Sequence, residues 1–114
     1  MIESIHGVIE RKEPTMLFIN ANGFVFNLSI CIREYEKLPS VGTDITILTY
    51  LNVREDLMEL YGFIDKERRD LFINLISVSG IGPRTAINLL SNASVAAFKE
   101  NIVNEDIKSL SLIP

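Results

Sequence analysis

Several ingredients that would announce a chemistry are scarce in this sequence. It holds one cysteine, Cys31, and one histidine, His6, in 114 residues. A single cysteine cannot close an internal disulfide or build a cysteine-based zinc site, and it suits a reducing cytoplasm. Cys31 is expected in a strand with no basic neighbour except Arg33, so no nucleophilic role is assigned to it. His6 stands beside Gly7 with no ligand-type partner nearby and is read as structural. There is no Gly-rich loop ending in Lys-Ser/Thr for a nucleotide and no plausible nucleophile triad, so no catalytic residue, metal or cofactor is expected. No apolar run approaches the ~20 residues that a helix needs to cross a bilayer, which excludes such a span. The opening Met1-Ile2-Glu3-Ser4-Ile5-His6 lacks the basic-then-apolar layout of a secretory signal, so export is not expected. Positive charge is not in excess either. Eleven Lys plus Arg face fifteen Asp plus Glu, a net charge of −4, which on its face speaks against a nucleic-acid partner.

What is present suffices for a core. Hydrophobic residues make up 47% and charged residues 23%, a mixture that excludes wholesale disorder and fits one domain, or one small domain with a companion. The chain changes period along its length. Up to Phe63 apolar residues alternate: Phe24, Phe26, Leu28, Ile30 and Ile32 share one face, with Val25, Asn27, Ser29 and Cys31 on the other. Ile45, Ile47, Thr49, Leu51 and Val53 repeat the pattern. Asn20-Ala21-Asn22-Gly23 joins two β-rich runs with residues suited to positive φ. Five strands are expected near 2–11, 14–20, 23–32, 43–53 and 57–63, with a short helical turn near 33–38. So many short strands in so few residues point to a small closed Greek-key barrel of the OB type, because closure removes exposed edges. An open meander of the same strands is the alternative.

Beyond Phe63 the period becomes helical. Asp65 can cap a helix whose apolar stripe is Leu71, Phe72, Leu75 and Ile76, ending at Gly80. Pro83 suits the first turn of a second helix carrying Ala86, Leu89 and Leu90. A third helix is expected from Ser94 (Ala97, Phe98, Ile102) and a fourth from Asn104 or Glu105 (Ile107, Leu110). The fold class is therefore α+β: an N-terminal five-stranded barrel over residues 1–63, followed by an all-α domain over 64–114. The first piece carries five basic and nine acidic side chains and the second six of each. All the net acidity belongs to the barrel, and a balanced helical piece can still hold a polyanion through its backbone.

The sharpest motif is Ser79-Gly80-Ile81-Gly82-Pro83-Arg84-Thr85, between two helices. Gly80 and Gly82 permit positive φ or close backbone approach. Ile81 between them can point inward, and Pro83 opens a helix whose first N–H groups face outward as an anion site. Arg84 adds charge and Thr85 a hydroxyl. Such a corner grips phosphate without reading bases; the plainer alternative is an ordinary αα-hairpin whose glycines serve only the turn. The second feature is Arg54-Glu55-Asp56, at the tip between the fourth and fifth strands. Adjacent exposed carboxylates commonly just solvate a turn. They can also keep phosphates apart by repulsion, whereas a metal-dependent nuclease would need more acids converging on its ions.

The corner is similar to the helix-hairpin-helix motif of DNA repair proteins, and the whole chain resembles the RuvA family of Holliday-junction branch-migration subunits. The resemblance is carried by Met1-Ile2 with Gly7, by Val53-Arg54-Glu55-Asp56, by Leu60-Tyr61-Gly62-Phe63, by Leu71-Phe72 with Leu75-Ile76, and by Gly80-Ile81-Gly82-Pro83 with Ala86. It implies a non-catalytic cytoplasmic DNA-binding scaffold of bacterial recombination and repair. Four copies, or eight on DNA, would hold four-way junction DNA open. By resemblance Glu55 and Asp56, with Arg54, match the acidic pin at the crossover. Gly80 to Arg84 match the first hairpin motif. The RuvB motor and the RuvC resolvase are the implied partners, with no membrane. In that family a second hairpin and a small third domain, which engages the motor, follow the apolar-Pro step seen here at Leu112-Ile113-Pro114. The chain is accordingly expected to be a fragment with its second motif cut short. Two other functions compete: a metal-dependent junction nuclease using Glu55 and Asp56, and a helical protein-interaction module in which Gly80–Pro83 is only a turn.

Overall fold

The five alternating segments become five strands in a computed structural model, which describes residues 2–92. They are β1 (Ser4–Glu13), β2 (Met16–Ala21), β3 (Phe24–Ser29), β4 (Asp44–Val53) and β5 (Met58–Phe63). The strands close into a barrel in the order β1-β2-β3-β5-β4. β1 is long enough to serve two neighbours: Ser4 to Val8 pair with β4, and Val8 to Glu13 with β2. Val8 pairs with both neighbours, and the register against β2 shifts between Ile9 and Arg11, just beyond it. The seam is the parallel pairing of β3 with β5 at Leu28↔Leu60 and Ser29↔Tyr61, while every other pair is antiparallel. This is the OB architecture, and the seam excludes the open meander.

Of the residues the alternation selects, Leu28, Ile30, Ile47 and Thr49 are buried, whereas Ile32 and Val53, at the ends of their runs, are exposed. Ile5, Ile9, Leu17, Ile19, Leu28, Ile30, Leu38 and Ile47 form the barrel core. Gly7 must be glycine because a Cβ there would strike the Asn20 carbonyl and lie 2.8 Å from an Ile19 methyl. At the β2–β3 turn Asn22 and Gly23 take φ of 54° and 93°, and the Gly23 N–H donates to Asn20 Oδ1 at 2.9 Å. That is the turn chemistry expected of Asn20–Gly23.

Two details depart from the sequence reading. β3 stops at Ser29 rather than running to residue 32, because the chain turns into α1 (Ile32–Lys37) with Cys31 at its N-cap. The Cys31 carbonyl accepts from the N–H groups of both Glu34 and Tyr35, and the helix supplies Leu38 and Tyr35 to the core. Phe24, placed on the inward face by parity, is 72% exposed. It occupies the rung beside the turn, opposite Ala21, with its ring 6.5 Å from that of Phe26.

By its contacts the chain divides into two compact units, Met1–Arg69 and Asp70–Pro114. The helix α2 (Lys66–Ile76) runs across that division, and α3 (Pro83–Asn92) follows. Asp65 caps α2 as its side chain suggests: Oδ1 accepts from the Arg68 N–H at 2.9 Å. The first turn of α2 sides with the barrel. Arg69 Nη1 reaches Glu3 Oε1 at 2.7 Å and the Glu3 carbonyl at 3.2 Å, and Arg68 enters a buried cluster described below. In the second unit Leu71, Phe72, Leu75, Ile81, Ala86, Leu89 and Leu90 are buried; of the stripes the helical period picks out among the described residues, only Ile76 is half-buried rather than buried. The helices expected from Ser94 and from Asn104 or Glu105 lie outside the described residues.

Candidate nucleic-acid interface

The corner between α2 and α3 is built by a short relay of backbone bonds. Ser77 N–H donates to the Ile73 and Asn74 carbonyls, Val78 N–H to Leu75, and Ile81 N–H to Val78. Gly80 has φ of 89°, a left-handed conformation that glycine adopts without a Cβ penalty. Ile81 is 6% exposed and Pro83 is buried, so the two anchor the turn from within. The residues on either side of them face out: Ser79, Gly80 and Arg84 are exposed, and Gly82 and Thr85 half-buried. The Gly82 carbonyl takes the Ala86 N–H at 3.0 Å, which makes Gly82 the cap residue of α3. A glycine cap brings no side-chain oxygen of its own to the first turn, and a helix N-terminus is a place where an anion is favoured.

The two glycines have different reasons. Gly80 needs its backbone conformation. Gly82 has no left-handed φ, and a Cβ built on it meets nothing within 4 Å among the described residues. The turn accounts for Gly80 through its conformation and for Gly82 as a helix cap, a place where glycine is preferred to alanine; the room above Gly82 among the described residues would also admit a partner backbone. The expectation of positive φ at either glycine holds only at Gly80.

The second feature sits at the tip of the β4–β5 hairpin. Val53 pairs with Met58, and the Arg54 N–H donates to the Leu57 carbonyl at 2.8 Å. That closes a tight loop on which Arg54, Glu55 and Asp56 are all exposed. Apolar side chains flank the acids: Val53, Leu57 and Met58 are exposed too, a collar the sequence reading did not single out. Among the described residues no three His, Cys, Asp or Glu side chains gather as a metal site would require.

Sequence reasoning missed a third group. Cys31 does not lie in a strand beside Arg33 alone. Its Sγ donates to Glu34 Oε2 at 2.6 Å and accepts from Arg68 Nη2 at 2.9 Å, and Arg68 forks onto the Glu34 carboxylate through Nε and Nη2. Cys31, Glu34 and Arg68 are 1%, 0% and 3% exposed. Burial first, and then the Glu34 charge, pushes the Cys31 thiol above its ordinary range. Burial disfavours the Arg68 charge, but the Glu34 hydrogen bond and carboxylate more than offset this and leave its pKa raised. One signal for the cluster was in the sequence: Arg68 falls on the same helical stripe as Leu71, Phe72 and Leu75. His6 is exposed, with Nδ1 2.8 Å from Thr46 Oγ1 and Nε2 3.7 Å from Asp44.

Comparison with known families joins these features. The RuvA N terminal domain matches residues 1–62. The chain belongs to the RuvA family. A second match, to the SAM-like helix-hairpin-helix tandem, covers residues 72–114 and includes the Gly80–Arg84 corner. The chain is similar to the Holliday junction branch migration complex subunit RuvA of Chloroherpeton thalassium, with 42% identity over 97% of this chain and 56% of that protein. It is 39% identical to the RuvA subunit of Actinobacillus pleuropneumoniae across all of this chain and 57% of the relative. The Marinomonas RuvA subunit is 40% identical over the same shares. The chain thus spans somewhat more than half the length of the curated RuvA relatives it matches. No helix among the described residues is long and apolar enough to cross a membrane.

Proposed function

We propose that this chain is a non-catalytic, structure-specific DNA-binding scaffold. It binds four-way Holliday junctions and holds them open for branch migration by an ATP-driven motor. The observation that carries this reading is the exposed corner at Gly80–Arg84. There a glycine with open room above it among the described residues caps a helix N-terminus beside a cation and a hydroxyl. Backbone dipoles and Arg84 would grip the sugar-phosphate backbone without reading sequence. Thr85 and Ser79 would add hydroxyl contacts, with Ile81 and Pro83 holding the corner in shape.

The exposed Glu55 and Asp56 act in the opposite sense. Assembled as a homotetramer, or as two tetramers on one junction, several copies would bring these acids to the crossover, where they repel phosphates and keep the strands from collapsing together. Arg54 would retain a single attraction at the edge. The relatives' names make them subunits of a complex, and the ATPase partner by resemblance is RuvB, with RuvC as resolvase, in the bacterial cytoplasm. The nuclease reading is not favoured: adjacent acids on a hairpin tip point apart, and two-metal chemistry needs several converging carboxylates.

The test is competition between a labelled four-way junction and linear duplex of equal length at fixed salt. Repeated weak grips add through avidity, so the junction should win by at least 10-fold on the order-of-magnitude scale of linked sites. Equal affinities would sink the reading. Nicking of the junction in Mg²⁺ would revive the nuclease.

A further inference from the structure

The β4–β5 hairpin outruns the sheet that carries it. β4 pairs with β1 only from Asp44 to Leu48, and β5 pairs with β3 only at Leu60 and Tyr61. Nearer the tip, among the described residues, the two strands pair with each other alone, through Asn52↔Glu59 and Val53↔Met58. Side chains two apart on a strand share a face, so the rungs Thr49↔Gly62, Leu51↔Leu60 and Val53↔Met58 make one ladder. Its lower end belongs to the barrel: Thr49 and Gly62 are buried, and Leu60 packs on the core. Its upper end is bare, with Val53 55% and Met58 71% exposed and Leu57 exposed beside them. A ribbon that had only to solvate a turn would become polar here, and this one stays apolar up to the acids.

The chemistry of that end restricts what can cover it. Glu55 and Asp56 are exposed between Val53 and Leu57, so a phosphate is held off. The tip of a second copy would bring the same acids against them. Val53, Leu57 and Met58 also fall far short of the roughly 800 Å² that each partner gives to a stable protein interface. The uncharged, apolar surface that DNA can offer is the face of a base pair. Within a duplex that face is stacked and hidden, whereas at a crossover held open it has lost its neighbour. Leu and Met side chains are among those that proteins place against unstacked base steps, and here burial would come without the cost of prising a step apart. The carboxylates suit the rim of such a contact, since base amino groups donate to Asp and Glu.

We propose that Leu57 and Met58, backed by Val53, cap the bare faces of the base pairs that border the open crossover. The acids keep the phosphates at a distance, and the apolar collar holds the bases that this leaves unstacked. All of these residues lie in the one unit Met1–Arg69. The cap rests on the proposed function, because it is a junction that presents such faces.

The test uses four-way junctions carrying 2-aminopurine, a base analogue that brightens when it unstacks, either beside the crossover or in the middle of an arm. The parent should brighten the crossover probe several-fold and leave the mid-arm probe as it was. Leu57→Asn with Met58→Thr removes the cap at exposed positions and keeps Glu55 and Asp56. Its crossover signal should fall back toward that of the free junction, because bare faces restack when nothing covers them. Its junction affinity should fall by about 10-fold, the scale of two partly buried apolar side chains, with duplex affinity unchanged. Should the double variant fail to fold, Leu57→Asn alone, which leaves the paired rungs intact, should give a smaller fall in the same signal. A folded variant that brightens the crossover probe as the parent does overturns the cap. So does a lower mass of the variant in solution without DNA, since the collar would then join copies of the chain. A parent with no preference for the junction overturns the proposed function and the cap with it. A parent that prefers the junction but leaves the crossover probe dark overturns the cap alone.

Discussion

Glycine at three positions answers to three different constraints, and substitution separates them. At Gly7 the obstacle is the backbone of β2, so Gly7→Ala should destabilise the barrel by about 1–3 kcal/mol through overpacking, read from chemical denaturation. At Gly80 the obstacle is conformational: φ is 89° and no atom of the described residues lies within 4 Å of a built Cβ. Gly80→Ala should cost about 1–2 kcal/mol of strain. At Gly82 the chain offers neither obstacle. Gly82→Ala should cost about 0.5–1 kcal/mol, the loss of a glycine cap, and on the proposed function it should weaken binding to duplex and junction alike, because its methyl group would stand where the phosphate backbone would approach. A Gly82→Ala protein that binds DNA as the parent does would reduce the corner to a plain turn. Cys31 gives a second residue-level prediction. Its thiol titrates above the ordinary value of 9.0 in the folded chain, by burial first and the Glu34 charge second. Stability from this group is then full below that ordinary value and is lost as pH rises above it, because the unfolded chain releases the proton first. The parent should lose stability on the alkaline side more steeply than Cys31→Ala, as measured by urea midpoints across alkaline pH.

At the scale of elements, local chemistry is strong where one side chain decides a boundary. The Asp65 carboxylate satisfies the Arg68 N–H, and Asp65→Ala should cost about 1 kcal/mol. The loss should show as a lower melting temperature with little change in the folded spectrum. Such caps were legible in advance: Asp65, Pro83 and the Asn22-Gly23 turn all stand where their residue chemistry places them. The alternation also gave the barrel its five strands and, among its inward residues, Leu28, Ile30, Ile47 and Thr49. What sequence periodicity could not show was where a strand stops being part of a closed surface. Phe24 keeps the parity of the core and is still exposed, since parity says which face a residue takes and not whether anything lies above it. Cys31 was misread for a related reason. Ile30 and Ile32 continue the alternation across a point where the backbone leaves β3 and enters α1. The Glu34–Arg68 partnership joins residues 34 positions apart, a separation at which no local pattern speaks. The candidate site divides in the same way: the Gly80–Arg84 corner and the Glu55–Asp56 tip were both plain in the sequence because each is a short contiguous segment. The different reasons for Gly80 and Gly82 needed coordinates.

At the scale of the whole molecule, on the proposed function, the distribution of charge decides what kind of DNA-binding protein this would be. A net charge of −4 gives no general attraction for a polyanion, so affinity has to come from local backbone grips and, in an assembly, from their number. The acids of the barrel then have a use that their sign alone would not suggest. Glu55 and Asp56 project on a loop closed by a single backbone bond and flanked by exposed Val53, Leu57 and Met58. Their field falls away within about 8 Å at physiological salt, so on the proposed function they would act only on phosphates that come close, which a crossover would supply and a linear duplex held at its arms would not. Neutralising both, as Glu55→Gln with Asp56→Asn, should leave duplex affinity as it was. Junction affinity should stay equal or rise, because repulsion that opposed binding has been removed. The geometry of the bound junction should change: fluorescence transfer between dyes on neighbouring arms should report a crossover held less open than with the parent. Loss of junction binding in the neutral variant would mean that the acids attract rather than repel, through a cation or a base. The division of labour between a gripping corner and a repelling tip would then have to be abandoned.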